Sequence, residues 1–200
     1  LYHNINLHNT KFKKKMQDTS HLKHDQALLN EWFSKMWKPI SSGFTYSNWK
    51  DVGSRIGNDE WLLDVGCGDN HFRKQGKKVV GIDPANPNAD IKITIEDYQP
   101  DRLFDVATCL GSINFGSIDV VSRQIAKVVS CLKPKSRIYW RLNPGRKDHP
   151  NRFCENIDYF PWSLEILKSF ADQHGYQQTA GKEESNADRS CVRLYAEWHR

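Results

Sequence analysis

The sequence predicts an α/β fold: a doubly wound, mostly parallel seven-stranded sheet with a C-terminal antiparallel hairpin strand and an N-terminal helical cap. Three observations predict it. Strand-like and helical segments alternate from Trp61 onward, which calls for a parallel sheet with helices on both faces. A glycine turn, Gly66-Cys67-Gly68, joins an apolar strand pattern to a short helix, and a second strand follows that ends in the carboxylate Asp83. The last two strand patterns have no helix between them, so they form a hairpin whose final strand runs antiparallel to its neighbours.

Each element has its own signal. From Ser20 to Lys38 the apolar residues fall in adjacent pairs four apart (Leu28/Leu29, Trp32/Phe33, Met36/Trp37), a helical face with Thr19 or Ser20 as its cap and Pro39 as its stop. A second short helix is expected over Ser47–Ile56, with Trp49, Val52 and Ile56 on one side, before Gly57-Asn58-Asp59 breaks the chain. Strands follow at Trp61–Val65, Lys78–Ile82, Ile91–Ile95, Phe104–Leu110 and Arg137–Leu142, and helices at Asn70–Gln75, Ile118–Leu132 and Pro161–His174. In the helix at 118–132 the stripe Val121, Ile125, Val128, Val129 and Leu132 marks the buried face, and Lys133-Pro134 is read as its stop. Tyr176–Gly181 and Cys191–Trp198 form the hairpin around the polar run Glu183–Arg189. The organisation expected is a basic arm and helical cap over 1–56 and one compact unit over 57–200.

A chain of 200 residues is enough for one domain that buries roughly 70% of its unfolded surface. No apolar run approaches the ~20 residues that span a bilayer, so no membrane partner is expected. Five cysteines (Cys67, Cys109, Cys131, Cys154, Cys191) are odd in number and form no CxxC pair, a usage that suits reduced thiols and a cytoplasmic protein. The net charge of +5 resides in the first 50 residues, led by Lys11, Lys13, Lys14 and Lys15. Such a cluster could contact nucleic-acid phosphates or an anionic substrate, but four lysines without interleaved arginines fit a solvated arm better. The eight histidines form no metal-ligand set, and none is expected.

The glycine turn carries the chemistry. Asp83 follows Gly66 by 17 positions, close to the ~20-residue offset of an acidic side chain that binds ribose hydroxyls. A dinucleotide site would also want a third glycine where this chain has His71, which argues against a nicotinamide-dependent oxidoreductase. Cys67 is read as the small residue such a turn requires rather than as a catalytic thiol.

Taken together, Leu63-Asp64-Val65-Gly66-Cys67-Gly68, Val80-Gly81-Ile82-Asp83, Phe104-Asp105-Val106-Ala107 and Leu132-Lys133-Pro134 resemble the class I S-adenosylmethionine-dependent methyltransferases, from about residue 45 to the C-terminus. The resemblance implies S-adenosyl-L-methionine as cofactor. It implies that Gly66, Cys67 and Gly68 lie along the methionine part, that Asp64 holds the amino end, and that Asp83, beside Pro84, accepts the ribose hydroxyls. Ile95 would pack on the adenine, with Glu96 or Asp97 as its polar contact and Thr94 as the other occupant of that position. Leu110 and Gly111, at the end of the fourth strand, would face cofactor and acceptor.

The segment Gly111-Ser112-Ile113-Asn114-Phe115 lacks the Asn/Asp-Pro-Pro-aromatic motif of nucleic-acid amino-methyltransferases, and Asn143-Pro144-Gly145 follows the wrong strand. A Pro-Cys nucleophile is missing too. The expected acceptor is therefore a small molecule, with the aromatic N-terminal helices as its lid. An RNA or DNA methyltransferase using the basic arm and a non-catalytic cofactor-binding protein are the alternatives. No general base is identified.

Overall fold

The computed structural model describes residues 19–37, 43–149 and 152–200. Its centre is a mixed sheet of six strands: β1 (Trp61–Val65), β2 (Lys78–Ile82), β3 (Phe104–Leu110), β4 (Leu132–Leu142), β5 (Gln177–Ser185) and β6 (Val192–His199). They lie in the order β2-β1-β3-β4-β6-β5. β1 is parallel to β2 and β3, and β3 is parallel to β4, whereas β6 is antiparallel to both β4 and β5. The expected hairpin is present, and its second strand inserts between β4 and the first. The helices are α1 (Gln26–Glu31), continued by a π-helical turn at Trp32–Met36, then α2 (Trp49–Ser54), α3 (His71–Lys74), α4 (Ile118–Ser130) and α5 (Leu164–Gln173), with a 3₁₀ turn at Arg152–Asn156.

Alternation along the strands divides the core into two layers. Leu62, Val106, Tyr139 and Tyr195 face α2 and α3, meeting Val52, Ile56 and Phe72. Leu63, Ala107, Trp140 and Ala196 face the other way, onto Val121, Ile125 and Val128 of α4 and Ile166, Leu167 and Phe170 of α5. A third cluster joins Leu29 and Trp32 of the N-terminal helix to Phe115, Cys154 and Ile157. None of the helices among the described residues is long and apolar enough to cross a membrane.

Three expectations are corrected. Ile91–Ile95 is not a strand, so the described residues form six rather than seven; Ile91 makes a single parallel bridge to Ile82. Parallel neighbours need a crossover of a dozen or more residues, and the chain returns to β2 too soon. The edge of β2 is closed instead by Asp90, whose carboxylate accepts the Gly81 N–H at 2.8 Å and an Arg73 N–H at 2.7 Å. Secondly, α4 ends at Ser130, and Lys133-Pro134 belongs to β4, in a stretch bulged out of register between the Phe104–Leu132 and Val106–Arg137 pairs. A bulge tolerates the missing proline N–H. Thirdly, α1 starts at Gln26 with Asp25 as its cap, the Asp25 Oδ1 accepting the Leu28 N–H at 3.0 Å. The expected stop at Pro39 lies outside the described residues.

Thr19 caps a different helix. Its Oγ1 accepts the Ile118 N–H of α4 at 3.0 Å, while the local candidate Ser117 makes no side-chain cap bond. Thr19→Val is therefore expected to cost about 1 kcal/mol, the usual value of an N-cap, whereas Ser117→Ala costs less than about 0.5 kcal/mol. Urea unfolding of the two variants checks the difference.

Candidate functional site

The carboxyl ends of β1, β2 and β3 open into one cavity of about 850 Å³. That is the place in an open α/β sheet where ligands bind, and the volume lies in the upper part of the range for small-molecule sites. Among the sequence-predicted residues, Asp64, Gly66, Cys67, Gly68, Asp83, Pro84, Ile95, Leu110 and Gly111 all line it.

The floor is set by the glycine turn. Gly66 has φ +70°, and a Cβ there would fall 2.5 Å from the Cβ of Ser112. The turn after β1 and the loop after β3 therefore touch, backbone against side chain. Gly68 also has positive φ, +51°, but a Cβ on it would meet nothing within 4 Å, because it faces the open cavity. Cys67 is buried between them. Burial, reinforced by the Asp64 and Asp83 carboxylates, pushes its thiol far above the ordinary range, so it is no nucleophile.

Asp64 is the penultimate residue of the apolar strand β1 and is 4% exposed. Its Oδ1 accepts a 2.6 Å hydrogen bond from Thr108, its register partner on β3. Burial nevertheless dominates: with the Asp83 charge adding to it and the Thr108 bond opposing, the Asp64 carboxyl is raised from 3.8 to about 7. A cationic ligand group would restore the charge.

Asp83 combines two roles. Its Oδ1 accepts the N–H groups of Ala85 and Asn86 at 2.8 and 2.9 Å, fixing the turn that follows β2, and its Oδ2 accepts the Gly68 N–H at 3.1 Å. A carboxylate offers about four lone-pair sites, so Oδ2 retains capacity toward the cavity.

Glu96 does not line the cavity. Thr94 donates to Asp97 at 2.7 Å and its oxygen accepts the Asp97 N–H at 3.2 Å, forming a tight turn. That turn directs Glu96 to α4, where its carboxylate accepts from Arg123 at 3.3 Å and Gln124 at 3.2 Å. The cavity wall here is made by Ile93, Thr94, Ile95 and Gln124.

The opposite wall comes from the aromatic N-terminal segments expected as a lid, joined by loops beyond β3 and β4. Trp32, Phe33 and Trp37 contribute from the N-terminal helix and just beyond it, with Phe44 and Trp49 from the next segment and Phe115 and Tyr159 from the loops beyond β3 and β4. Trp49 stacks on His71 at 4.6 Å, and Trp32 meets His149 edge-on at 4.9 Å. Burial lowers the pKa of both His24 and His71 and raises Tyr159 to about 12, so at neutral pH the Tyr159 hydroxyl is a donor rather than a base.

Two clamps hold these walls. Glu184 accepts the Tyr46 and Ser47 N–H groups at 2.9 and 3.2 Å and the Ser47 hydroxyl, which docks residues 43–48 on β5. Asn114 donates to Gly111 O at 2.8 Å and accepts the Asn143 N–H at 2.7 Å, tying the ends of β3 and β4 together. Arg141 is the chief residue that sequence reasoning missed. It lines the cavity from the end of β4, and a charged residue inside Ile138-Tyr139-Trp140-Arg141-Leu142 was the signal that could have found it.

No protein-family model and no curated protein matches the chain. Solved structures do. A Burkholderia thailandensis 1,6-didemethyltoxoflavin-N1-methyltransferase, solved with 1,6-didemethyltoxoflavin and S-adenosylhomocysteine, is 13% identical with a TM-score of 0.63, covering 100% of this chain and 89% of its own. The magnesium protoporphyrin IX methyltransferase of Synechocystis PCC 6803 with bound S-adenosylhomocysteine is 13% identical with a TM-score of 0.62, over 88% of this chain and 100% of its own. The N-methyltransferase NodS of Bradyrhizobium japonicum WM9 is 12% identical with a TM-score of 0.60, over 88% and 97%. The shared property is the fold: the chain has the class I methyltransferase fold.

Positive φ at the two glycines has a measurable cost. Gly68→Ala should destabilise by about 1–2 kcal/mol, the strain of a side chain at positive φ. Gly66→Ala should cost more, because its Cβ also collides with Ser112; denaturant midpoints rank them. For Asp64, the folded-state pKa lies above the unfolded one, so the folded state holds the proton more tightly. Ionisation then destabilises the protein progressively as pH rises from about 4 to about 7. Asp64→Asn keeps an acceptor for Thr108 and removes this penalty, whose upper bound is about 4 kcal/mol at roughly 1.4 kcal/mol per unit. The variant should match wild type near pH 4 and exceed it at pH 8, as read by urea unfolding at both values.

Proposed function

We propose that this chain is an S-adenosyl-L-methionine-dependent methyltransferase acting on a small-molecule acceptor. One observation carries the reading. Two acidic side chains, Asp64 and Asp83, flank a glycine turn in the wall of a single cavity, at the carboxyl ends of adjacent strands. The bound S-adenosylhomocysteine of the solved structures with this fold supports the same choice of cofactor.

The residues fit such a ligand. The open face of Gly68 leaves room for an amino-acid chain that a Cβ would crowd. Asp64, buried and raised to about 7, is stabilised as a carboxylate by a cationic amino group. In this reading Asp83 Oδ2 accepts the ribose hydroxyls, and the adenine packs on Ile93 and Ile95 beside Thr94 and Gln124. Leu110 and Gly111 border the side toward the aromatic cap, where the acceptor sits. When bound, the cofactor supplies an activated methyl group that passes to a nucleophile by in-line displacement. The chain's contribution is then to position the two partners and exclude water, the main source of rate when the leaving group is already activated.

The aromatic wall of Trp32, Phe33, Phe115 and Tyr159 supports a small acceptor rather than a polymer, since it encloses the cavity with apolar surface. Lys11, Lys13, Lys14 and Lys15, on which a nucleic-acid reading rests, lie outside the described residues.

Calorimetric titration with S-adenosylhomocysteine tests the reading. Asp83→Ala should weaken binding roughly 10- to 100-fold, the loss of charged hydrogen bonds. Wild-type affinity should rise between pH 6 and pH 8 as Asp64 ionises, and that rise should vanish in Asp64→Asn. Absence of binding at millimolar ligand sinks the proposal. Binding with no transfer of labelled methyl to a panel of aromatic acceptors would favour a non-catalytic cofactor-binding protein.

A further inference from the structure

On the cavity wall stands a permanent cation, Arg141, whose charge no carboxylate pairs among the described residues. Arg141 donates to the carbonyls of Leu110 at 2.6 Å and Ser47 at 3.3 Å. Among the described residues no carboxylate lies within ion-pair distance of its guanidinium; the salt bridges there involve other residues. The acids nearest in charge are committed elsewhere, Glu184 to Tyr46 and Ser47 and Asp64 to Thr108. Arg193, which also lines the cavity, differs: it pairs with Asp148 at 2.8 Å.

Both guanidinium groups lie beside the ring of Phe44, at 5.7 Å for Arg141 and 5.9 Å for Arg193. Burial, with the positive charge of Arg193 adding to it, pushes the Arg141 pKa down to about 10, so the group stays charged at neutral pH but is poorly compensated. A part-buried guanidinium with no carboxylate at contact distance is under-compensated. Two carbonyl bonds use two of its five N–H donors, and a carboxylate is the group whose geometry matches the fork.

We propose that Arg141 is the anion-binding residue of this cavity and takes a carboxylate there. The proposal rests on the methyltransferase reading only for the two sources of that carboxylate: the acceptor, or the amino-acid end of the cofactor. Arg141 thereby determines specificity in either case, selecting an acidic aromatic acceptor in the first and the complete cofactor over its truncated forms in the second.

Calorimetry on the full chain separates the sources with four probes: S-adenosylhomocysteine, 5′-methylthioadenosine (the same nucleoside without the amino-acid group), 1-naphthoate and its neutral analogue 1-naphthalenemethanol. If the acceptor carries the anion, wild type binds naphthoate at least tenfold more tightly than the alcohol. Arg141→Gln abolishes that preference and Arg141→Lys keeps part of it. If the cofactor carries it, Arg141→Gln weakens S-adenosylhomocysteine at least tenfold and methylthioadenosine less than twofold. Equal weakening of both nucleosides, with no naphthoate preference in wild type, reduces Arg141 to a structural tie and overturns the proposal.

Should Arg141→Gln fail to fold, wild type alone decides, by naphthoate against the alcohol and S-adenosylhomocysteine against its methyl ester. Discrimination in neither pair overturns the proposal. Failure of both nucleosides to bind wild type would instead remove the methyltransferase reading, while the naphthoate comparison would still report on Arg141.

Discussion

The turn after β1 and the loop after β3 meet at Gly66 and Ser112, and the rest of the site depends on that approach. With any side chain at position 66 the two loops would have to part. Leu110 and Gly111 share the cavity lining with Asp64, and Gly68 faces open space. A parallel sheet ends all its strands on one side, but it does not by itself make a cavity. The cavity exists because one loop packs down as a floor while the segments around Trp32 and Phe44 stand as walls.

Charge is distributed unevenly around that floor. The Asp64 carboxyl is raised toward neutrality by burial, while Arg141 is held charged without a paired carboxylate among the described residues. Each is an unfavourable arrangement in isolation, and each is relieved by a ligand group of opposite sign. An amino acid presents both signs. In the proposed reading, with Asp83 toward the ribose, these groups make a surface complementary to an amino-acid-bearing nucleoside and an aromatic partner. Sites of function are where a fold tolerates such local cost.

The edge of β2 shows how short-range chemistry can override a pattern. Ile91-Lys92-Ile93-Thr94-Ile95 alternates as a strand should, yet Asp90 occupies the hydrogen-bonding position that a neighbouring strand would need. The same segment then turns at Thr94–Asp97, which buries Ile95 and sends Glu96 to Arg123 and Gln124. Thr19 is a parallel case. Read locally it starts a helix, whereas in the fold it caps α4, far along the chain.

Legibility in the sequence followed contact range. The unit from Trp61 to Asp83 could be read because its strand, turn, helix and second strand interact over a few residues. A glycine pair beside a carboxylate in an apolar strand is also costly to the fold, and a ligand site is the chief use that offsets such a cost. The two-layer core was legible because the periods of two and 3.6 are local properties. The direction of Glu96, the capping of α4 by Thr19 and the place of Arg141 were decided only by tertiary structure. Each depends on a partner remote in the chain, such as Gln124 for Glu96 or Ser47 for Arg141. Local sequence determined the glycine-turn side of the cavity, and the packing of distant segments decided what stands opposite it.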